Sequence, residues 1–380
     1  MSYKYQPPII AVFSQECPKY KSKIDIDICP HGSSYLPHSY VKFIEASGGE
    51  ALILPTYTTN EQLENLILKK QISGILLPGG GGFKWEYYRL ARAAVRLVLD
   101  HKIDMPIFGI CMGFELMLVE ASEPNGNTRD THKAMILENI SGTESVGLEV
   151  EFSWENLLNY NIFEDLPKFM KFNMENLPIT MNAHINTVFE DTFKRLQNRS
   201  ENNKNDLNDF IITSTSTSPD PSFKDRTFVA SVEHKNLPLF SVQYHPEKAN
   251  FEINNNIEDS SKTCMIHSLE AIQVSQYLAN FFVEKCRKFQ TKNSTSDESK
   301  LPSSYEPLKA KYQTVILPTI GSKMWKHYNS IYVFRNDDMD RTTMNGKLLI
   351  AENKNLGKNI TEGLSAISNG KGLGFDRDRL

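Results

Sequence analysis

An α/β fold is predicted: a mainly parallel central sheet with helices on both faces, plus a small antiparallel portion. Three observations predict it. Short apolar runs alternate with segments of helical periodicity through the first half of the chain, the pattern of successive βα units. The residue types that carry chemistry fall just after apolar runs, where open α/β sheets place their ligands. Residues 140–250 then change character, with short strands in closer succession.

The elements follow in order. Ile9–Phe13 reads as a strand, and Tyr40–Ala46 as a helix stopped by Gly48-Gly49. Ala51–Leu54 is a strand and Asn60–Lys69 a helix. Ile75–Leu77 is a strand running into Pro78-Gly79-Gly80-Gly81-Gly82. Trp85–Asp100 has helical periodicity, and Ile107–Ile110 is the next strand. Phe228–Val232 and Leu239–Val242 are strands of the antiparallel portion. Residues 198–225 are rich in Asn, Asp, Ser, Thr and Pro and read as a surface insertion loop. Leu269–Arg287 is an amphipathic helix and 288–304 a polar linker. Tyr312–Pro318 and Ile331–Phe334 add strands. The division expected is therefore a folded unit over 1–335, which the motifs below make the catalytic domain, and a polar, glycine-punctuated extension over 336–380.

Composition narrows the function classes. A chain of 380 residues with 40% hydrophobic content can bury a substantial core. The net charge is −4 with both signs interspersed, which points to neither a nucleic-acid nor a membrane surface. No apolar run reaches the length of a membrane span. The segment Met1–Pro8 carries no apolar signal region, so a cytoplasmic location is expected. The five cysteines, Cys17, Cys29, Cys111, Cys264 and Cys286, have no metal-type spacing and are odd in number. Reduced thiols are expected from that count.

The most informative stretch is Ile107-Phe108-Gly109-Ile110-Cys111-Met112-Gly113-Phe114-Glu115. An apolar strand ends at a cysteine with glycines two residues to either side, and a helical pattern begins. A thiol on such a turn stands clear of the backbone at a helix N-terminus, whose dipole is expected to lower its pKa. A second stretch, Gln243-Tyr244-His245-Pro246-Glu247-Lys248, offers a histidine with a carboxylate two residues on. Cys111, His245 and Glu247 together make a nucleophile, its base and the base's orienter. Backbone N–H groups of Gly80 and Met112 are the expected oxyanion donors, with the register within the glycine run left open. The other cysteines lack this context.

These motifs carry a family resemblance. The chain resembles class I glutamine-amidotransferase-like hydrolases, and most closely the gamma-glutamyl hydrolases, the folate polyglutamate peptidases. The resemblance rests on Pro8-Ile9-Ile10, Ser34-Tyr35, Ser39 to Glu45, Gly74 to Gly80, the cysteine elbow, Met181-Asn182-Ala183-His184 and Gln243 to Ala249, in the family's order over residues 7–290. It implies hydrolysis of γ-glutamyl amides through a thioester, with no metal or cofactor. It also implies that Glu115, His184 and Tyr35 bind substrate, with Glu16 near the cleft. Trp85 and Tyr87 read as packing residues. Many relatives are lysosomal or secreted. Ammonia-donating glutaminases typically carry glutamine four residues after the cysteine, where this chain has Glu115. The chain departs from the family at Tyr244, which replaces a tryptophan, and in the residues after the glycine run, the 198–225 segment and the tail. The expected ligand is a small γ-glutamyl molecule. A homodimer and a protein partner for 336–380 are left open, and the rival readings are a glutaminase subunit and a scaffold on a hydrolase fold.

Overall fold

The computed structural model describes residues 6–17, 34–81, 85–122, 135–153, 162–198, 205–253, 265–293, 314–318, 328 and 330–334. Expectations for Cys29, Cys264, Gly82, 294–304 and 336–380 lie outside these. The chain divides into Met1–Arg335 and Asn336–Leu380, and the description below concerns the first unit.

Its strands are β1 (Ile9–Phe13), β2 (Gln15–Glu16), β3 (Ser34–Pro37), β4 (Glu50–Leu54), β5 (Gly74–Leu77), β6 (Ile107–Ile110), β7 (Glu138–Asn139), β8 (Val146–Leu148), β9 (Glu151–Phe152), β10 (Thr180–Asn182), β11 (Asn186–Thr187), β12 (Phe210–Thr217), β13 (Thr227–His234), β14 (Leu239–Val242), β15 (Thr314–Pro318) and β16 (Ser330–Phe334). The helices are α1 (His38–Glu45), α2 (Asn60–Leu68), α3 (Trp85–His101), α4 (Met112–Ser122), α5 (Lys168–Asn176), α6 (Glu190–Gln197), α7 (Pro246–Phe251) and α8 (Leu269–Asn293).

An eight-stranded sheet in the order β4-β1-β5-β6-β14-β13-β12-β9 is the spine. Its first five strands are parallel and the last three join antiparallel. Alternation along β1 shows why both faces need cover. Ile9, Ala11 and Phe13 pack with Leu63 of α2, Tyr87 of α3 and Phe114 of α4. Ile10 and Val12 pack on the other face with Phe43 of α1 and Phe282 of α8. Local chemistry sets the helix starts: Thr59 and Gln62 form a reciprocal capping box at α2. Helix α4 is buried on every side, as a helix wedged between layers must be, and the two acids among its mainly apolar residues, Glu115 and Glu120, find polar partners in Gln243 and Tyr88.

Three expectations are corrected. Residues 198–225 are no simple loop, because Phe210–Thr217 is strand β12 of the main sheet. Its Thr and Ser residues suggested a loop, yet threonine's branched side chain suits strands. Its buried hydroxyls pair internally, Thr213 and Ser214 each with Ser231 of β13 at 2.6 and 2.5 Å. Helix α8 runs on to Asn293, through the first residues of the expected linker. Phe289 holds it, continuing the apolar stripe of Phe282 and Cys286 into the core. Finally, Cys17 is disulfide-bonded, while Cys111 and Cys286 are free. The expectation of reduced thiols therefore fails for Cys17.

A four-stranded antiparallel sheet, β15-β16-β3-β2, lies beside the spine. Strand β3 was legible only as a motif. Its residue Tyr35 pairs with Val333 on one side and Gln15 on the other.

Candidate active site

The site forms where three adjacent parallel strands end. Leu77 of β5 is level with Gly109 of β6, and Val242 of β14 with Ile110. The residues just beyond are the glycine loop, Cys111 and His245, so the sheet register alone brings the three motifs together.

Cys111 has φ +49°, the left-handed region that side chains with a Cβ avoid. Its N–H donates to the Val242 carbonyl at 2.9 Å and its carbonyl accepts from the Glu115 N–H at 2.9 Å. The strain thus sits on the cysteine, and the flanking glycines serve close approach. A Cβ on Gly113 would lie 2.1 Å from the Leu77 carbonyl oxygen, and one on Gly109 would lie 2.8 Å from that of Gly113. The thiol pKa is pushed up, contrary to the expected lowering. Burial is the main cause, followed by Glu115 and Glu247, and the Met112 N–H and Lys248 oppose it.

His245 precedes α7, and its Nδ1 bonds Glu247 Oε1 at 2.8 Å. Both side chains are buried. Burial would raise the Glu247 carboxyl, but His245 and then Lys248 bring it below its ordinary value. The cysteine and histidine flank Gly79: a Cβ there would stand 2.6 Å from His245 Cε1 and 3.0 Å from Cys111 Cβ. Lys248 is itself buried, its ammonium 4.6 Å from the Tyr328 ring centroid.

The glycine loop is held from beneath. The Gly79 N–H donates to the Tyr40 hydroxyl at 2.9 Å. That donor is spent, and Gly80 and Gly81 are the loop residues that line the cavity. Gln15 Nε2 donates to the Gly79 carbonyl at 2.5 Å, and Tyr35 donates to Gln15 Oε1 at 3.2 Å. Sequence reasoning missed Gln15 and Tyr40. The available signals were that Tyr40 lies inside the quoted motif Ser39 to Glu45 and that Gln15 adjoins Glu16, which was expected near the cleft.

The cavity has a volume of about 210 Å³, and Cys111, Met112, Gly80, Glu115, His184 and Glu144 are among its lining residues. Glu115 is buried and accepts from Gln243 Nε2 at 3.2 Å. Burial raises its carboxyl from 4.5 to about 8 despite that bond. His184 donates from Nδ1 to the Asn186 carbonyl at 2.9 Å, and its Nε2 lies 3.1 Å from the Asn182 carboxamide. Burial lowers it to about 3, so the ring is neutral. Tyr35, expected to bind substrate, is not among the lining residues; its hydroxyl donates to Gln15. Glu16 is likewise structural: its carboxylate accepts the Glu86 and Tyr87 N–H groups at 2.7 and 3.4 Å, capping α3. Tyr87 is buried and donates to the Pro78 carbonyl at 2.8 Å, whereas Trp85 is half exposed, its ring centroid 6.3 Å from that of Tyr88.

Comparison with known proteins bears on this geometry. The family model for class-I glutamine amidotransferases matches residues 34–263. Gamma-glutamyl hydrolase B of Dictyostelium discoideum is 30% identical over 86% of this chain and 83% of its own length. The chain belongs to the gamma-glutamyl hydrolase family. Gamma-glutamyl hydrolase of Rattus norvegicus is 29% identical over 74% of this chain and 78% of its own. Gamma-glutamyl hydrolase 1 of Arabidopsis thaliana is 26% identical over 86% and 82%. The family's class-I fold is the one described above, a mostly parallel sheet between helical layers with small antiparallel sheets beside it. The elbow, the His-Pro-Glu segment and the cavity all fall within the 34–263 match.

Proposed function

We propose that this family member hydrolyses γ-glutamyl amide bonds with Cys111 as nucleophile, and that folyl-poly-γ-glutamates are its substrates. The observation that carries the chemistry is a strained cysteine elbow on the cavity wall, with a buried His245–Glu247 pair across Gly79 from it.

The roles follow from geometry. Glu247 holds Nδ1 of His245, leaving Nε2 to take the thiol proton as the sulfur attacks the γ-carbonyl. The carbonyl oxygen becomes an oxyanion met by the N–H groups of Gly80 and Met112. Collapse of that intermediate breaks the C–N bond, and His245 returns the proton to the leaving amine. Water, deprotonated by His245, then hydrolyses the thioester to release the carboxylate and the free thiol. Glu115 and His184, both neutral at pH 7, line the wall that receives the γ-glutamyl group.

The relatives' names support the hydrolase over the glutaminase reading, as does Glu115 in place of glutamine. The folate substrate rests on the resemblance. The test incubates the purified protein with γ-Glu-Glu, a folyl-poly-γ-glutamate and glutamine, identifying products by mass. Glutamate or shortened folate is expected. Ammonia from glutamine with no peptide cleavage refutes the hydrolase, and cleavage of γ-Glu-Glu alone refutes only the folate assignment.

A further inference from the structure

We propose that Gln15 is the positioning residue of the oxyanion loop, and that the two-residue strand Gln15–Glu16 clamps that loop at both ends. The role of Gly80 that it serves rests on the hydrolase reading above.

The loop presents a physical problem. Gly79, Gly80 and Gly81 have no side chains with which to anchor themselves, and glycine backbone is the most freely varying of any residue. An oxyanion donor is useful only when it is already aimed at the place where charge develops. Something outside the loop must fix it. At its start, Gln15 does so by two contacts. Its Nε2 donates to the Gly79 carbonyl at 2.5 Å. Its carboxamide also lies flat against Gly80: a Cβ there would be 2.1 Å from Oε1 and 2.3 Å from Nε2. The Gly79–Gly80 peptide is therefore gripped at its carbonyl and against its Cα. Because a peptide unit is planar, fixing the Gly79 carbonyl fixes the direction of the Gly80 N–H, which points the opposite way.

The carboxamide is itself oriented. Tyr35 donates to Oε1 at 3.2 Å, which leaves the NH2 end for Gly79. Tyr40 secures the preceding N–H at 2.9 Å. Beyond the loop, the next residue along β2 acts. The Glu16 carboxylate accepts the Glu86 and Tyr87 N–H groups at the first turn of α3. Adjacent residues thus hold the loop's entry and its exit. Gln15 is 4% exposed and does not line the cavity, so it acts on substrate only through Gly80.

Q15M keeps the length of the side chain and removes both polar ends. Removing a single oxyanion donor outright costs roughly 10²–10³ in kcat, which bounds the cost of misdirecting one. Q15M is expected to lower kcat on γ-Glu-Glu by at least about tenfold with KM within twofold of wild type. The rate at which iodoacetamide alkylates Cys111 should stay within twofold, because alkylation needs no oxyanion. Y35F, which leaves the donor but frees its orientation, should move kcat in the same direction by less. Unchanged kcat in Q15M, a change confined to KM, or an equal loss of alkylation would each overturn the proposal. Amide hydrogen exchange over residues 77–82 reads the clamp without substrate. Q15M should exchange faster there than wild type while regions away from the loop do not change. Wild-type exchange in Q15M overturns the clamp even if the protein turns over no γ-glutamyl substrate, an outcome that would refute the hydrolase reading separately.

Discussion

Replacing Glu115 by glutamine should change how stability depends on pH, in a direction set by burial. Glu115 lies in the cavity wall, where among the described residues its carboxyl has the Gln243 carboxamide as hydrogen-bonding partner, and that carboxyl is raised from 4.5 to about 8. Between these values the folded protein holds a proton that the unfolded chain has lost. Stability from this group is therefore fully present below pH 4.5 and falls as pH rises to 8. At about 1.4 kcal/mol per pH unit the whole span comes to about 5 kcal/mol. Glutamine has nearly the shape of the protonated acid, can still accept from Gln243, and does not titrate. Urea unfolding of wild type and E115Q at pH 5, 6.5 and 8 should show E115Q gaining on wild type by several kcal/mol across the series. A difference that stays flat within about 1 kcal/mol would mean that Glu115 is ionised throughout, and the burial argument would fail.

Four further outcomes are expected. C111A should abolish γ-glutamyl hydrolysis while leaving the melting temperature close to wild type, checked by product mass and thermal unfolding. H245N should lose roughly 10⁶ in kcat and E247Q less, roughly 10⁴, as measured by glutamate release; near-normal turnover in H245N would remove His245 from the mechanism. Iodoacetamide should alkylate Cys111 slowly at pH 7, and at pH 9 should react faster with E115Q than with wild type, read by mass of the labelled peptide. Truncation after Phe334 should leave melting temperature and turnover intact, because Leu348-Leu349-Ile350 is the strongest apolar cluster beyond it and too small for a core. Loss of either would place 336–380 within the enzyme, against our reading of it as a partner-docking extension.

The parallel half of the fold was legible because each strand is a short apolar run ending in glycine, proline or a polar turn. Ile9–Phe13 and Ile107–Ile110 have the expected bounds, and Ile75–Leu77 grows by one residue. Strand β12 was hidden because Ser and Thr are ambiguous: they read as loop until Ser231 is known to lie opposite. The candidate site was legible wherever backbone geometry writes itself into sequence, as at the Cys111 elbow and His245-Pro246-Glu247. What could not be read was support arriving from far along the chain. Gln15 reaches Gly79 across 64 positions and Tyr40 across 39. No local pattern records such a contact. Tyr35 was placed in the site for its motif, and its hydroxyl donates to Gln15.

The direction of the Cys111 shift shows how this site balances charge. A helix N-terminus and Lys248 favour thiolate, and sequence reasoning weighed only the first. Burial outweighs both, and two carboxylates add to it. In the proposed mechanism, a thiol raised in this way gives up its proton to His245 as part of the attack instead of in a step completed beforehand. Glu115 then has a second effect. Near neutral pH it is protonated and adds little repulsion to a sulfur gaining charge. As pH climbs past about 8 it ionises, below the range in which the raised thiol titrates, and its new charge holds the thiol up further. The two groups resist one another, so alkaline pH yields less thiolate than either alone would allow. Glutamine at 115 removes that coupling, which is why E115Q should react faster at pH 9. A glutaminase-type glutamine and a hydrolase-type glutamate at this position therefore differ in what they do to the nucleophile as well as in what they offer the substrate.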